Sequence, residues 1–293
     1  MIKKTESAYE NFGAFCRRND LADMEEAIEL FAVFGGLNKP FERQKGVMEA
    51  LKESILEHYA LLYKKASDYT ANNPALHSLL SGVALGDGRI HSAYKKARLG
   101  KNEGAPLVHK ALDSGIVELI SSETLKMSRV EGEESVSDKL YFASPFMRFW
   151  FAFVALIYKS IKSKEYKEFE ERFNAHKQEL FEHTFLRLGH QLLAKRFSND
   201  PFVRLGEYWD QKEQLDILGT TASGRRVAGI CRYSNSKVTK SELSKLQAKA
   251  KSLHIDADIY VIIAKRGFSS ELKAMKSDSL LLLSAKNLKE LIG

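Results

Sequence analysis

From residue 176 to the end, the chain alternates between helical and extended patterns, and this alternation limits its fold more than any other feature. A helical stretch at 176–197 precedes three segments of strand character near 201–209, 213–219 and 225–232, and a helix follows at 239–252. The apolar run "ADIYVIIAK", a short helix from Ser269, the run "SLLLLS" and a last helix complete the series. A helix followed by three strands, a helix and a buried strand indicates a mixed α/β layer structure built around one sheet. With a largely helical first half, the fold class is α/β in this region and α+β overall.

The first half divides into three parts. Residues 1–65 are helical: "DMEEAIELFAVFGG" sets Met24, Ile28 and Phe31 at helical spacing before a stop at Gly35 and Gly36. "GVMEALKESILEHYALLY" repeats the pattern with Met48, Leu51, Ile55, Tyr59 and Leu62 on one stripe. Residues 66–145 change character. Asn73-Pro74 opens a helix through "ALHSLLSGVAL", "GDG" breaks it, "IHSAYKKARL" forms a second helix, and "GAPLVHKALDSG" forms a third that Gly115 ends. "IVELIS" and "KLYFAS" then read as strands around the charged hairpin "KMSRVEGEESVSD".

Three short helices followed by a two-stranded ribbon make a winged helix-turn-helix, whose third helix enters the DNA major groove. His109 and Lys110 on the third helix, with Lys95, Lys96 and Arg98 on the second, are the exposed candidates for that contact. That surface is only modestly basic, and such domains also serve as protein-docking modules. Connecting helices occupy 146–175, and the α/β domain spans 176–293.

Charge bears on the choice of partner. The formal net charge is +7, and between Arg225 and Lys251 eight bases meet one acid, Glu242, an excess equal to that of the whole chain. The bases are Arg225, Arg226, Arg232, Lys237, Lys240, Lys245, Lys249 and Lys251. A segment of one sign suits a polyanion such as nucleic acid, the alternative being a solvated face without a partner. Cys16 and Cys231 form no CxxC pair, which speaks against a disulfide framework or zinc site and fits a reducing cytoplasm.

No signal peptide is evident at the start. "FMRFWFAFVALIY", with Arg148 inside it, falls short of the roughly 20 apolar residues that span a bilayer, so no membrane association is expected. His176, His183 and His190 recur every seven residues, which places successive Cα atoms roughly 10 Å apart along a helix. That spacing is too wide for all three to converge on one ion, and these histidines are structural.

The segment "QLDILGTTASGRRVAGICRY" reads as two strands around a Gly-containing turn, with Asp216 on the first and Arg232 on the second. Together with "FAVFGGL", "KLYFASPFMRFWFAFV", "EYWDQKEQLDILG" and "VAGICRY" in that order, it makes the chain resemble the C-terminal half of an archaeal-type P-loop ATPase family. "SPFMRFWF" carries the most specific likeness, to the family's "YRISDPFLRFWFRFV" signature. The resemblance implies a winged helix followed by a PD-(D/E)XK restriction-endonuclease-like domain. No GxxxxGK[ST] phosphate loop occurs, so the chain is expected to lack the family's ATPase.

Departures from the family pattern fall on the chemistry. Asp216 keeps the family's acid, but Gln214 replaces the neighbouring Glu, Ile230 replaces the Glu of "GECK", and Arg232 replaces its Lys. Leu186 stands where related enzymes often place another Glu, with Glu182 one turn earlier. Nucleases of this fold hold Mg²⁺ between carboxylates on adjacent strands, and Mg²⁺ demands oxygen ligands. Ile230 has none to offer, and the guanidinium of Arg232 is a poor proton shuttle.

The expected function is therefore DNA binding by a winged helix joined to a degenerate, non-catalytic nuclease fold that requires no cofactor. Contacts are expected from Lys95, Lys96, His109, Lys110, Arg225, Arg226, Arg232, Lys237, Lys240 and Lys245. One alternative is a Mg²⁺-dependent DNA nuclease with migrated ligands, its chemistry carried by Asp216, Glu207 and Arg232, the metal held at Asp216, and Glu182 a further candidate second ligand. Another is a module that docks on a separately encoded ATPase or other protein through the aromatic run "FMRFWFAF".

Overall fold

A computed structural model describes residues 8–37, 46–123 and 138–293, which form two compact units. The first takes residues up to 22, 26–121 and 138–181; the second takes 23–25, 122–123 and 182–293. The chain is of mixed α and β structure, as its pattern indicates.

The first unit opens with α1 (Phe12–Arg18) and with α2 (Met24–Phe34) from Glu26 onward, its first two residues belonging to the second unit. Met24, Ile28 and Phe31 of α2 are buried on one face as their spacing predicts. Its stop has a steric cause. Gly36 has φ +93°, and a Cβ there would lie 2.3 Å from the Ser144 hydroxyl. That hydroxyl and the Phe146 N–H both donate to the Gly35 carbonyl, at 3.0 and 2.9 Å. The second predicted stripe is buried at Leu51, Ile55, Tyr59 and Leu62, but no single helix carries it. α3 (Val47–Leu51) runs into a π-helical turn, Lys52–Leu56, before α4 (Tyr59–Thr70) begins.

Next come α5 (Pro74–Ala84), α6 (Ile90–Ala97), α7 (Lys101–Asp113), β1 (Val117–Ile120) and β2 (Lys139–Phe142). Asn73 caps α5 by accepting from the Leu76 N–H at 3.0 Å, with Pro74 in the first turn where its missing N–H costs nothing. Asp87 does the same ahead of α6, accepting from the Arg89 N–H and the Ser92 hydroxyl. α7 starts at Lys101, earlier than "GAPLV" suggests, because the Glu103 carboxylate accepts from the Gly100 N–H at 3.0 Å.

β1 and β2 pair antiparallel from Val117 opposite Phe142 to Ile120 opposite Lys139, and Arg89 bridges Lys139 on the other side. The expected hairpin "KMSRVEGEESVSD" lies, save for Asp138, outside the described residues.

α8 (Pro145–Phe149), a π-helical turn at Trp150–Val154 and α9 (Tyr158–Lys162) follow. Phe146, Phe149, Trp150, Phe151 and Phe153 are all at most 3% exposed. Trp150 stacks on Tyr59 at 5.8 Å, and Phe149 and Phe153 both meet Phe173 edge to face. The aromatic run therefore offers no docking surface, because this unit uses it as core. Among the described residues no helix is long and apolar enough to cross a membrane.

α10 (Lys167–Arg196) begins in the first unit and ends in the second. It starts nine residues before the predicted 176, since Phe169 and Phe173 extend its buried face. The second unit continues with β3 (Phe202–Trp209), β4 (Gln214–Thr221), β5 (Arg226–Arg232), α11 (Lys240–Ser252), β6 (Ile259–Ala264), α12 (Ser270–Ala274) and β7 (Leu280–Ser284). The expected last helix is a 3-10 run, Ala285–Leu291.

Strand order is β3-β4-β5-β6-β7, antiparallel through β5 and parallel from β5 to β7. On one face α11 and α12 bury Leu243, Leu246, Ala250 and Leu272 against Leu215, Leu218, Ala228 and Ile230. On the other, α10 comes close at Gly189, where a Cβ would stand 3.0 Å from Ile263 and 3.2 Å from the Cys231 sulfur.

Candidate functional site

Asp216 and Arg232 meet where β4 and β5 part. Among the paired positions of the two strands, the last at this end is Ile217 opposite Gly229. Beyond it the Asp216 carboxylate stands in for backbone: one oxygen accepts the Cys231 N–H at 2.9 Å and Arg232 Nη1 at 3.3 Å. Arg232 turns its Nε to Glu242 of α11 at 3.1 Å and donates from Nη1 to the Cys231 carbonyl. The other Glu242 oxygen pairs with Lys245 at 2.7 Å. Lys245, and then Arg232, outweigh burial and hold the Glu242 carboxyl below its ordinary range. Arg232 is thus a cation shared by two carboxylates.

Ile230, where the nuclease resemblance would place a second acid, is 5% exposed and packs in the α11 core. This donor set does not fit the Mg²⁺ that the nuclease resemblance implies. A guanidinium already sits on the Asp216 carboxylate, and the side chain on the adjacent strand is apolar. Among the described residues no three His, Cys, Asp or Glu side chains are grouped to hold a metal ion.

Glu207, the candidate second ligand, is 3% exposed on β3, and its charge is felt by His190 and Cys231. Glu182 is exposed on α10.

Two residues support the site in ways their spacing does not reveal. His190 on α10 bonds the Asp216 carbonyl through Nε2 at 2.8 Å. Burial lowers its pKa, so the ring is neutral at pH 7; the acceptor is a carbonyl, so the proton sits on Nε2 and is donated to it. The Cys231 thiol is pushed well above its ordinary value by burial and then by Asp216, which keeps it protonated and poorly nucleophilic. His176, by contrast, lies on the surface beside Glu179 at 3.4 Å.

Acids from elsewhere in the unit answer most of the basic segment. Arg225 pairs with Asp200 at 2.8 Å, and this pair together with Ser223 holds the Asp200 carboxyl well below its usual range. Arg226 faces Asp256 at 3.6 Å, Lys240 faces Glu271 at 3.4 Å, and Lys249 faces Glu213 at 3.1 Å. With Arg232 and Lys245 on Glu242, six of the eight bases have an acidic partner. Lys237 and Lys251 have none among the described residues. A count along the sequence misses these pairings because Asp200, Glu213, Asp256 and Glu271 come from outside the segment.

In the first unit, His109 and Lys110 are exposed on α7 and Lys95 on α6, all as expected. Lys96 is exposed too, but its ammonium donates to the Leu85 carbonyl. α6 and α7 meet at Gly104, where a Cβ would stand 2.3 Å from the Tyr94 ring. That close approach fixes the relative placement of Lys95 and His109.

Residues 150–246 match a protein family described as archaea bacterial proteins of unknown function (DUF234). The matched stretch runs from Trp150 through Asp216, Arg232 and Glu242. No curated protein and no solved structure matches the chain.

Proposed function

We propose that this protein binds DNA through its phosphates and does not cut it. In this reading the first unit acts as a winged helix and the second is a PD-(D/E)XK-like domain whose metal site has been replaced by internal charge pairing. The observation that carries the non-catalytic half is the pairing of Arg232 with both Asp216 and Glu242 while Ile230 packs in the core. A charge that would hold a metal at Asp216 is satisfied by a side chain instead, so no cofactor is required.

For DNA binding, the support is the helix order α5, α6, α7 followed by the β1–β2 pair, with Lys95, His109 and Lys110 exposed on the two helices that would face a groove. A cytoplasmic location belongs to the same proposal. Docking on a separate ATPase has no such support, since the aromatic run that would have served it is buried.

The test is duplex binding as a function of salt. Phosphate-driven affinity falls linearly with log salt, at about 0.9 per phosphate neutralised, and shows little sequence preference. No retention of duplex at micromolar protein and low salt would end the reading.

A further inference from the structure

Lys237, one of the two bases of the segment without an acid, lines a cleft with other lysines of the second unit. A cleft of ≈ 820 Å³ opens where the parallel strands β5, β6 and β7 end. Its walls include the loop after β5 with Lys237, the loop after β6 with Lys265 and Arg266, Lys273 on α12, Lys276 just beyond it, and Lys286 after β7. Open α/β sheets bind ligands outside the carboxyl ends of their strands, because the loops there diverge and leave a crevice. The volume lies within the range of about 300–1,000 Å³ typical of small-ligand sites.

Six bases line the cleft against two acids, Asp23 and Glu25, which belong to the same unit. Glu25 already shows what the cleft accepts: its carboxylate sits on Arg266 at 3.2 Å and Lys265 at 3.7 Å. Lys265 is built in. Its side chain is 9% exposed, lies 4.4 Å over the Tyr233 ring and donates to Asn235 Oδ1 at 3.1 Å. The loops are tied together as well, Val238 donating to the Gly267 carbonyl and Ser269 to the Val238 carbonyl, both at 2.9 Å. Lys237, Lys273, Lys276 and Lys286 are exposed and have no acidic partner among the described residues. Six bases against two acids leave the cleft with four positive charges in excess. A ligand with several phosphate charges matches that surplus.

We infer that this cleft is a phosphate-binding site for a polyphosphate ligand, either free or presented by a nucleic-acid strand. The site would exist without the DNA reading, which it deepens only if the phosphates belong to DNA.

Calorimetric titration of the full chain with inorganic triphosphate, beside polarisation of a labelled duplex, tests it. Each is repeated on a variant carrying Lys237→Gln, Lys273→Gln, Lys276→Gln and Lys286→Gln, with circular dichroism as the control for folding. All four lysines are exposed, so the fold should survive, and a Lys265→Gln variant provides a second, single-site check. At least tenfold weaker binding of either probe by a folded variant is the expected result. Triphosphate bound and duplex ignored would keep the cleft and discard the DNA reading. Duplex bound equally by wild type and variant, with no triphosphate binding, would discard the cleft and keep the DNA reading. Binding of neither probe by wild type would overturn both.

Discussion

Two groups of bases in the second unit behave differently in the fold. At Asp216, Arg232, Glu242 and Lys245, each charge faces an opposite one within 3.3 Å, braced by backbone and by His190 from below. At the ends of β5 to β7, Lys237, Lys273, Lys276 and Lys286 converge on an open cleft with no acid assigned to them. Both regions are rich in bases, yet only the second has positive charge to offer a ligand. Charge along a chain is therefore a poor guide to charge at a surface, because folding delivers acids from distant segments. Substitutions in the first region should cost stability, and substitutions in the second should cost binding.

The largest effect should come from Ile230→Glu, which puts an acid where the nuclease resemblance expects one. The new carboxylate would be buried against Leu243 and Leu246, and an uncompensated buried charge costs about 3–5 kcal/mol. Urea denaturation should show this loss, with no gain of nuclease activity; an active, stable variant would mean the site needs only its missing acid.

Asp216→Ala should cost less, about 1–3 kcal/mol, by leaving the Cys231 N–H without its acceptor and Arg232 with Glu242 alone. The same denaturation series reads it.

A pH series sharpens the comparison further. Glu242 is held below its ordinary value of 4.5 by Lys245 and Arg232. Its contribution to stability is therefore complete above that value and is lost as pH falls through the lower folded-state value. Glu242→Gln should flatten the stability profile on the acid side, and an unchanged profile would show that the pairing is not formed in solution.

The smallest effect belongs to Lys240→Gln. Its partner Glu271 and Lys240 itself are both more than half exposed, and such pairs contribute about 0–1 kcal/mol, a change close to the error of a denaturation midpoint.

Much of the fold was legible because its signals are local. The strand pattern around residues 202–232 and the cap at Asn73-Pro74 each rest on neighbours within a few residues, whereas the stop at Gly35-Gly36 is signalled locally by its glycines but enforced by Ser144 and Phe146. What stayed hidden depends on distant parts of the chain. Phe169 and Phe173 lengthen α10 because they pack with Phe149, which no window around 176 contains. The acids that neutralise Arg225 and Lys240 lie 25 and 31 residues away in opposite directions, at Asp200 and Glu271.

At the candidate site, sequence points to Asp216, Arg232 and Ile230, but Glu242 stands out there only as the one acid amid bases. Its role as the second carboxylate on Arg232 needs α11 packed over β5. The lysines of the cleft come from four separate segments, and only the parallel arrangement of β5, β6 and β7 brings them together.

The most direct test of the proposal that this protein holds DNA without cutting it is a single incubation. End-labelled duplex, purified protein and Mg²⁺ are combined, and the sample is divided between a native gel and a denaturing gel, with Asp216→Ala alongside. A shifted band on the first gel and full-length strands on the second are expected for both proteins. Shortened strands produced by wild type and absent with Asp216→Ala would contradict the proposal, and would mean that Asp216 still serves a working metal centre.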